Sequence, residues 1–410
     1  MQRQNLRDSG VGFHQYTLLI MIYYLIAPFE DLLTGSAGTV AKYIAVAIII
    51  VGLINQNGAI TLRFDTPSNC IVYLLLLSVA SCIWATDRNV AFHRNTAYLL
   101  VPGLAFFVSQ LEFSEEERES IITASIVGGF MMIVYLFLQG QIDLSDGGRM
   151  RLTEGNDQNN FAALIFLPFV LCVLRMIRVR TKKRLIYCGL ALVLLYLILM
   201  TGSRGALMAI LFAVLVFVLF SPGEKRLRLI VIMIVAATLA NFIVLPMLPE
   251  NIQARLFDNE SYTHTMNSEN NRMAFWKCAF TEIYPKNPIV GVGSGCVPIW
   301  LGKYFSYNRA MHNTYINMLC EYGLLGLPVF LRMLYSLFIK KKREGNPGEI
   351  ALLAGICVII FFLDAFAKKF FWNVIMLLMI DTTQINSVQN RHGYQTKQTA
   401  ISGFDTGKGK

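Results

Sequence analysis

Long apolar runs separated by short polar connections repeat along most of this chain. Each run is near the length a helix needs to cross about 30 Å of hydrocarbon. The runs predict about twelve helical spans, near residues 14–32, 38–55, 67–85, 95–111, 120–139, 159–177, 184–200, 204–220, 228–247, 312–338, 349–366 and 369–385. They are too long and too continuously apolar for barrel strands, which alternate. The expected fold class is therefore an all-α polytopic membrane protein. Its parts are an N-terminal helical portion (1–247), a large outer loop with short amphipathic helices (248–311), three C-terminal spans (312–385) and a polar tail (386–410) expected to be disordered. The start is polar and shows no small-residue cleavage site before the first run, so an uncleaved first helix is expected.

Composition agrees: 55% of residues are hydrophobic and 15% charged, with a mean hydropathy of +0.51. The net charge of +10 does not point to nucleic acid, because Lys and Arg gather in short connections as the positive-inside rule requires. Arg178 to Arg184, Lys225 to Arg228 and Lys340 to Arg343 are these clusters. They fall on one side, which the rule makes cytoplasmic, together with both termini. The loop 140–158, the turn Thr201–Arg204, the segment 248–311 and His312 then face outward. Lys368 and Lys369, beside Asp364, run against the rule in the last outer connection. Most of the eight cysteines sit in spans as small hydrophobes. Cys278 and Cys296 lie in the large loop, where a disulfide is one option.

The segment from Asn271 to Gly326 is too polar and irregular to be a mere connection. His312 opens a span at the water–lipid boundary, where an imidazole can take a proton from a hydroxyl; on position alone, helix capping is the stronger reading. Arg272 begins a helix whose apolar stripe is Phe275, Trp276, Ala279 and Ile283. Its guanidinium suits phosphate oxygens, although surface arginines on such helices are common. Arg204 is forced into a tight turn between two apolar spans, flanked by glycines that invite close approach. Arg149 and Arg151, with Asn160 at the entrance to the sixth span, form a further polar group that either reads sugar hydroxyls or caps a helix. Pro285, Pro288, Gly291, Gly293 and Gly295 make a turn, and its G-x-G-x-G run lacks the βαβ context of a dinucleotide fingerprint. No metal site or cofactor motif is evident in the sequence.

These pieces together resemble the O-antigen ligase and O-antigen polymerase superfamily. The resemblance rests on N-R-x-x-x-W at 271–276, P-x-x-G-x-G at 288–293 and H-N-x-Y-x-x-x-L-x-E-x-G-x-x-G at 312–326. It extends to T-G-S-R-G at 201–205 and G-N-D-Q-N-N-F-A at 155–162, and so covers about the final two-thirds of the chain. It implies a metal-independent, inverting glycosyltransferase in the cytoplasmic membrane, without a cofactor. The enzyme would move a glycan from undecaprenyl pyrophosphate to an acceptor hydroxyl, either another lipid-linked glycan (a repeat-unit polymerase of capsule or O-antigen type) or a lipid core (a ligase). His312, Arg272 and Arg204 match the family's essential residues. Asn313, Tyr315 and Trp276 line up as substrate contacts, the aromatics equally as interfacial belt residues. The implied partners are the lipid-linked donor, the acceptor, membrane lipids, a flippase and a chain-length regulator. A lipid-linked sugar transporter is the contrasting class. Nearly charge-free spans and no visible internal repeat argue against it.

Overall fold

The computed structural model describes residues 13–29, 34–35, 38–56, 62–139, 150, 157–239, 242, 245–257, 272–305 and 310–382. Arg149 and Arg151 fall outside them, as do the expected tail and Asn271. The described chain is helical apart from its connections and one antiparallel pair, Thr34–Gly35 with Gly38–Thr39. The helices are α1 (Gln15–Ile26), α2 (Val40–Asn55), α3 (Thr66–Ala80), α4 (Arg88–Ser109), α5 (Glu115–Gln139), α6 (Gln158–Arg178), α7 (Lys183–Met200) and α8 (Arg204–Phe220). They continue as α9 (Gly223–Leu239), α10 (Glu250–Phe257), α11 (Arg272–Cys278), α12 (Val297–Phe305), α13 (Thr314–Arg343), α14 (Pro347–Phe362) and α15 (Lys369–Met379).

A helix coincides with each expected span. Among the described residues, however, only five are long and apolar enough to cross a membrane: those at 66–83, 115–138, 158–178, 183–200 and 314–343. The others are shorter, except α4, which is long enough but not apolar enough. At 1.5 Å per residue α15 reaches about 16 Å, roughly half the hydrocarbon layer. Every one of its residues is buried, so neighbouring helices rather than lipid surround it, as an all-round apolar helix requires. The main core gathers α15 with the inner faces of α3, α4, α6, α8, α13 and α14. A second core, built on Phe275, Ala279, Ile283, Val297, Leu301 and Met311, holds the segment that the sequence assigns to the outer loop.

The tenth expected span is not one helix. Gly323 adopts φ 61° and ψ −149°, a backbone conformation essentially confined to glycine, and divides α13 into 314–322 and 324–343. Breaking a helix frees carbonyls before the break and amides after it, and a buried break must satisfy them. The glycine-bearing turn does so. Val292 N and Gly293 N donate to the Cys320 and Glu321 carbonyls at 2.9 and 3.0 Å, while Leu324 N and Leu325 N donate to Pro288 O and Ile289 O at 3.0 and 3.1 Å. The approach leaves no room for side chains. A Cβ on Gly291 would lie 2.3 Å from the Glu321 carbonyl, and one on Gly323 would lie 2.4 Å from that of Ile289.

Ion pairs tie two of the basic connections to the bundle. Lys340 reaches Asp381 and Asp65 at 3.5 and 3.9 Å, Arg175 and Arg178 share Glu119, and Arg118 pairs with Glu349. The first and last described segments meet here too. His14 Nδ1 lies 2.8 Å from Glu117, and Thr382 bonds Glu115. Asn313 and the Thr201–Ser203 turn stand at the far ends of their helices from these clusters.

Candidate functional site

The site is assembled around the corner where α14 ends. Helix α14 stops at Phe362 and the chain turns through Leu363, Asp364 and Ala365 before α15. Thr314 clamps this corner from the start of α13: its Oγ1 donates to Leu363 O at 2.7 Å and accepts from Ala365 N at 2.9 Å. His312 lies two residues before that clamp. It is the one non-glycine residue with positive φ among those described, at 53°. Such a backbone costs energy and persists only where surrounding contacts enforce it. Here the enforcing contacts are the Thr314 clamp, the Asn313 cap and a bond from Trp276.

Asn313 Oδ1 accepts from Ile316 N at 3.0 Å, an N-cap that starts α13 at Thr314 rather than at His312. The Asn313 side chain is buried, and its Nδ2 has no partner among the described residues. Trp276 Nε1 donates to Met311 O at 3.2 Å, which ties α11 to the residue before His312. Since Arg272 and Trp276 are one helical turn apart, they share a face of α11. The Trp276 ring meets Phe361 edge-on at 5.5 Å, and Tyr315 approaches the Phe361 ring at 6.4 Å. The Tyr315 hydroxyl donates to Cys357 O at 3.0 Å, so that group holds α13 to α14. Tyr304, half-exposed, bonds Glu282.

Arg204 enters from a distant part of the sequence. Ser203 caps α8 by accepting from Ala206 N, which puts Arg204 at the first helical position. Gly205 packs on Phe362, where a Cβ would come within 2.9 Å of the ring. Arg204 Nε donates to Arg255 O at 2.6 Å, fixing the plane of the guanidinium. The corner at 361–364 thus contacts the segments that carry Arg204, Arg272 and His312. Asn160 sits in the first turn of α6, where Asp157 supplies the cap by accepting from Asn159 N at 2.8 Å.

Two charged residues belong to this corner although neither was among the sequence-derived site residues. Asp364 Oδ2 lies 3.8 Å from Arg94 Nη2. Burial pushes the Asp364 carboxyl up from its ordinary range, while Arg94, Lys368 and His312 pull it back. Lys368, at odds with the positive-inside rule, is among the positive charges that act on this acid. Arg94 also donates through Nε to the Tyr98 hydroxyl at 3.3 Å, and that hydroxyl donates to Glu321 Oε2 at 3.1 Å. Glu321 Oε1 accepts from Gly295 N at 2.9 Å. The network joins the His312 corner to the glycine turn at the helix break. A lone Asp between two apolar runs was a visible signal for Asp364; Arg94, at the entrance to an ordinary-looking span, gave none.

Cys278 and Cys296 are both free thiols in the second core, so no disulfide joins them. Burial raises both thiols above their ordinary range, which makes them poor nucleophiles.

Comparison with known proteins matches residues 189–331 to a family model described as O-antigen ligase. The chain is also 27% identical over 255 residues to the teichuronic acid biosynthesis protein TuaE of Bacillus subtilis (strain 168). That match covers 56% of this chain and spans about half (51%) of the relative. Arg204, Arg272 and His312 all lie inside the matched family region, whereas Arg94 and Asp364 lie outside it. Residues 189–331 are thus similar to the O-antigen ligase family, in agreement with the resemblance to the O-antigen ligase and polymerase superfamily carried by the motifs and with the apolar helical architecture.

Proposed function

We propose that this protein is a multi-pass glycosyltransferase of the cytoplasmic membrane, crossing about twelve times with its site facing outward. It transfers a glycan from undecaprenyl pyrophosphate to an acceptor hydroxyl in the assembly of a surface polysaccharide. The observation that carries this reading is the meeting of His312, Asp364 and the arginine-bearing segments at one corner of the bundle. His312 acts as general base on the acceptor hydroxyl. The acceptor oxygen forms a bond to the anomeric carbon as the bond to the pyrophosphate oxygen breaks, with inversion. The proton passes to His312, where Asp364 stabilises the imidazolium. Arg272 and Arg204 neutralise the departing pyrophosphate, an electrostatic task that charge-assisted hydrogen bonds perform well in a partly dry site. No metal or cofactor takes part in these steps.

Between the two acceptor classes we favour a repeat-unit polymerase. The similarity to a protein named for teichuronic acid biosynthesis supports polysaccharide assembly in general; a ligase reading uses the same corner with a different acceptor. Purified protein incubated with lipid-pyrophosphate-linked oligosaccharide alone distinguishes them. Longer lipid-linked glycans support a polymerase, whereas transfer only after a lipid-core acceptor is added makes the protein a ligase.

A further inference from the structure

At the end of the bundle opposite His312, a cavity of 560 Å³ opens between α5, α6, α8 and the start of α14, near the start of α9. Its walls are of two kinds. The inner part is apolar, with Ile122, Leu171, Leu174, Phe217, Leu352 and Leu377. The exposed rim is basic, carrying Arg178, Arg180 and Lys225 with Arg175 half-buried and Glu344 beside them, while Arg118 and Glu349 are buried.

The acids do not balance the bases. Glu349 is held by Arg118 and by Lys341 at 2.8 Å, and Lys341 also takes Glu344 at 2.9 Å. These two acids are therefore neutralised within their own cluster. Arg175 and Arg178 share the single carboxylate of Glu119. Arg180 and Lys225 are exposed and form no ion pair among the described residues. The mouth keeps an excess of positive charge directly above an apolar pocket.

We propose that this cavity binds one anionic phospholipid, with its phosphate at Arg178, Arg180 and Lys225 and the first part of an acyl chain against Leu171, Leu174 and Leu352. A free phosphate or nucleotide would satisfy the basic mouth but leave the apolar floor unused. A zwitterionic lipid would fill the floor but bring no net charge to a mouth with uncompensated arginine. Basic clefts between helices at the positively charged end of a membrane protein fit acidic headgroups on general electrostatic grounds. The site is separate from the His312 corner and does not depend on the proposed reaction.

The test is native mass spectrometry of the full-length protein in detergent with phosphatidylglycerol, with phosphatidylcholine of the same acyl chains, and with inorganic phosphate as competitor. One phosphatidylglycerol should stay bound under activation that strips phosphatidylcholine. The double variant R180E/K225E should weaken that retention by about tenfold or more, and the milder R180Q/K225Q should weaken it less. Both positions are exposed, so folding is not at stake, and unchanged circular dichroism checks this. Equal retention of the two lipids, full displacement by millimolar phosphate, or retention unaltered in both double variants would overturn the proposal.

Discussion

Thr314, two residues after His312, closes the turn that carries Asp364, donating to Leu363 O at 2.7 Å and accepting from Ala365 N at 2.9 Å, and Arg94 lies 3.8 Å from that acid. His312 and Asp364 stand at two helix ends 52 positions apart in sequence, and the Thr314 clamp brings those ends together. An imidazole that gains a proton during reaction is steadied by an adjacent carboxylate. Asp364→Asn keeps the shape and removes the charge. It should lower kcat about 100-fold or more, leave KM for the lipid-linked donor little changed, and move the acidic limb of the pH–rate profile downward, because a neighbouring negative charge no longer favours the imidazolium. Steady-state kinetics across pH 5–9 measures this; a profile and kcat like wild type would remove Asp364 from the mechanism.

Arg94 acts through Asp364 rather than on substrate. Arg94→Lys preserves the charge but loses the fork that reaches both Asp364 and Tyr98. A fall in kcat of about 10- to 100-fold is expected for Arg94→Gln, with partial rescue by Arg94→Lys and an unchanged donor KM. An increase in KM alone would instead mean that Arg94 binds the donor.

The crossing of the glycine turn over the helix break makes a stability prediction. Gly323→Ala forces a side chain onto the Ile289 carbonyl and into a conformation costing roughly 1–3 kcal/mol by itself. Gly291→Ala meets the Glu321 backbone in the same way. Each should lower the apparent Tm in detergent, whereas Gly103→Ala, at a position where a Cβ meets nothing within 4 Å, should not. Equal Tm values for all three would contradict the backbone pairing.

Much of this was legible in the residues. Apolar runs predicted the helices because burial in lipid leaves the backbone no other way to satisfy itself. The stripe of Phe275, Ala279 and Ile283 predicted the buried face of α11 and the turn after it. The sequence did not reveal that span ten is broken. Leu319 to Leu327 is apolar enough to read straight through, and only the partner strand of backbone at 288–293 shows why Gly323 leaves the helix. Arg94 was hidden for a related reason: its role depends on Asp364, some 270 positions away, and no local period encodes that meeting. The positive-inside pattern placed the basic clusters on one side, and ion pairs at Glu119 and at Glu349 and Asp381 anchor the first and last of them to the bundle.

Trp276 offers a check on how the site is held. Trp276→Phe keeps the ring against Phe361 but removes the bond to Met311 O, worth about 0.5–1.5 kcal/mol. A fall in kcat larger than the small loss of Tm would show that the bond positions His312. Equal effects on both would mean that Trp276 only packs.

The central claim is that His312 takes the acceptor proton while Arg272 and Arg204 receive the pyrophosphate. Its most direct test is a transfer assay with purified protein and lipid-pyrophosphate-linked oligosaccharide, in EDTA and without nucleotide, comparing wild type with His312→Ala and Arg272→Ala. The account predicts glycan transfer by the wild type and a loss of about 100-fold or more in either variant, with folding retained; undiminished transfer by both variants would contradict it.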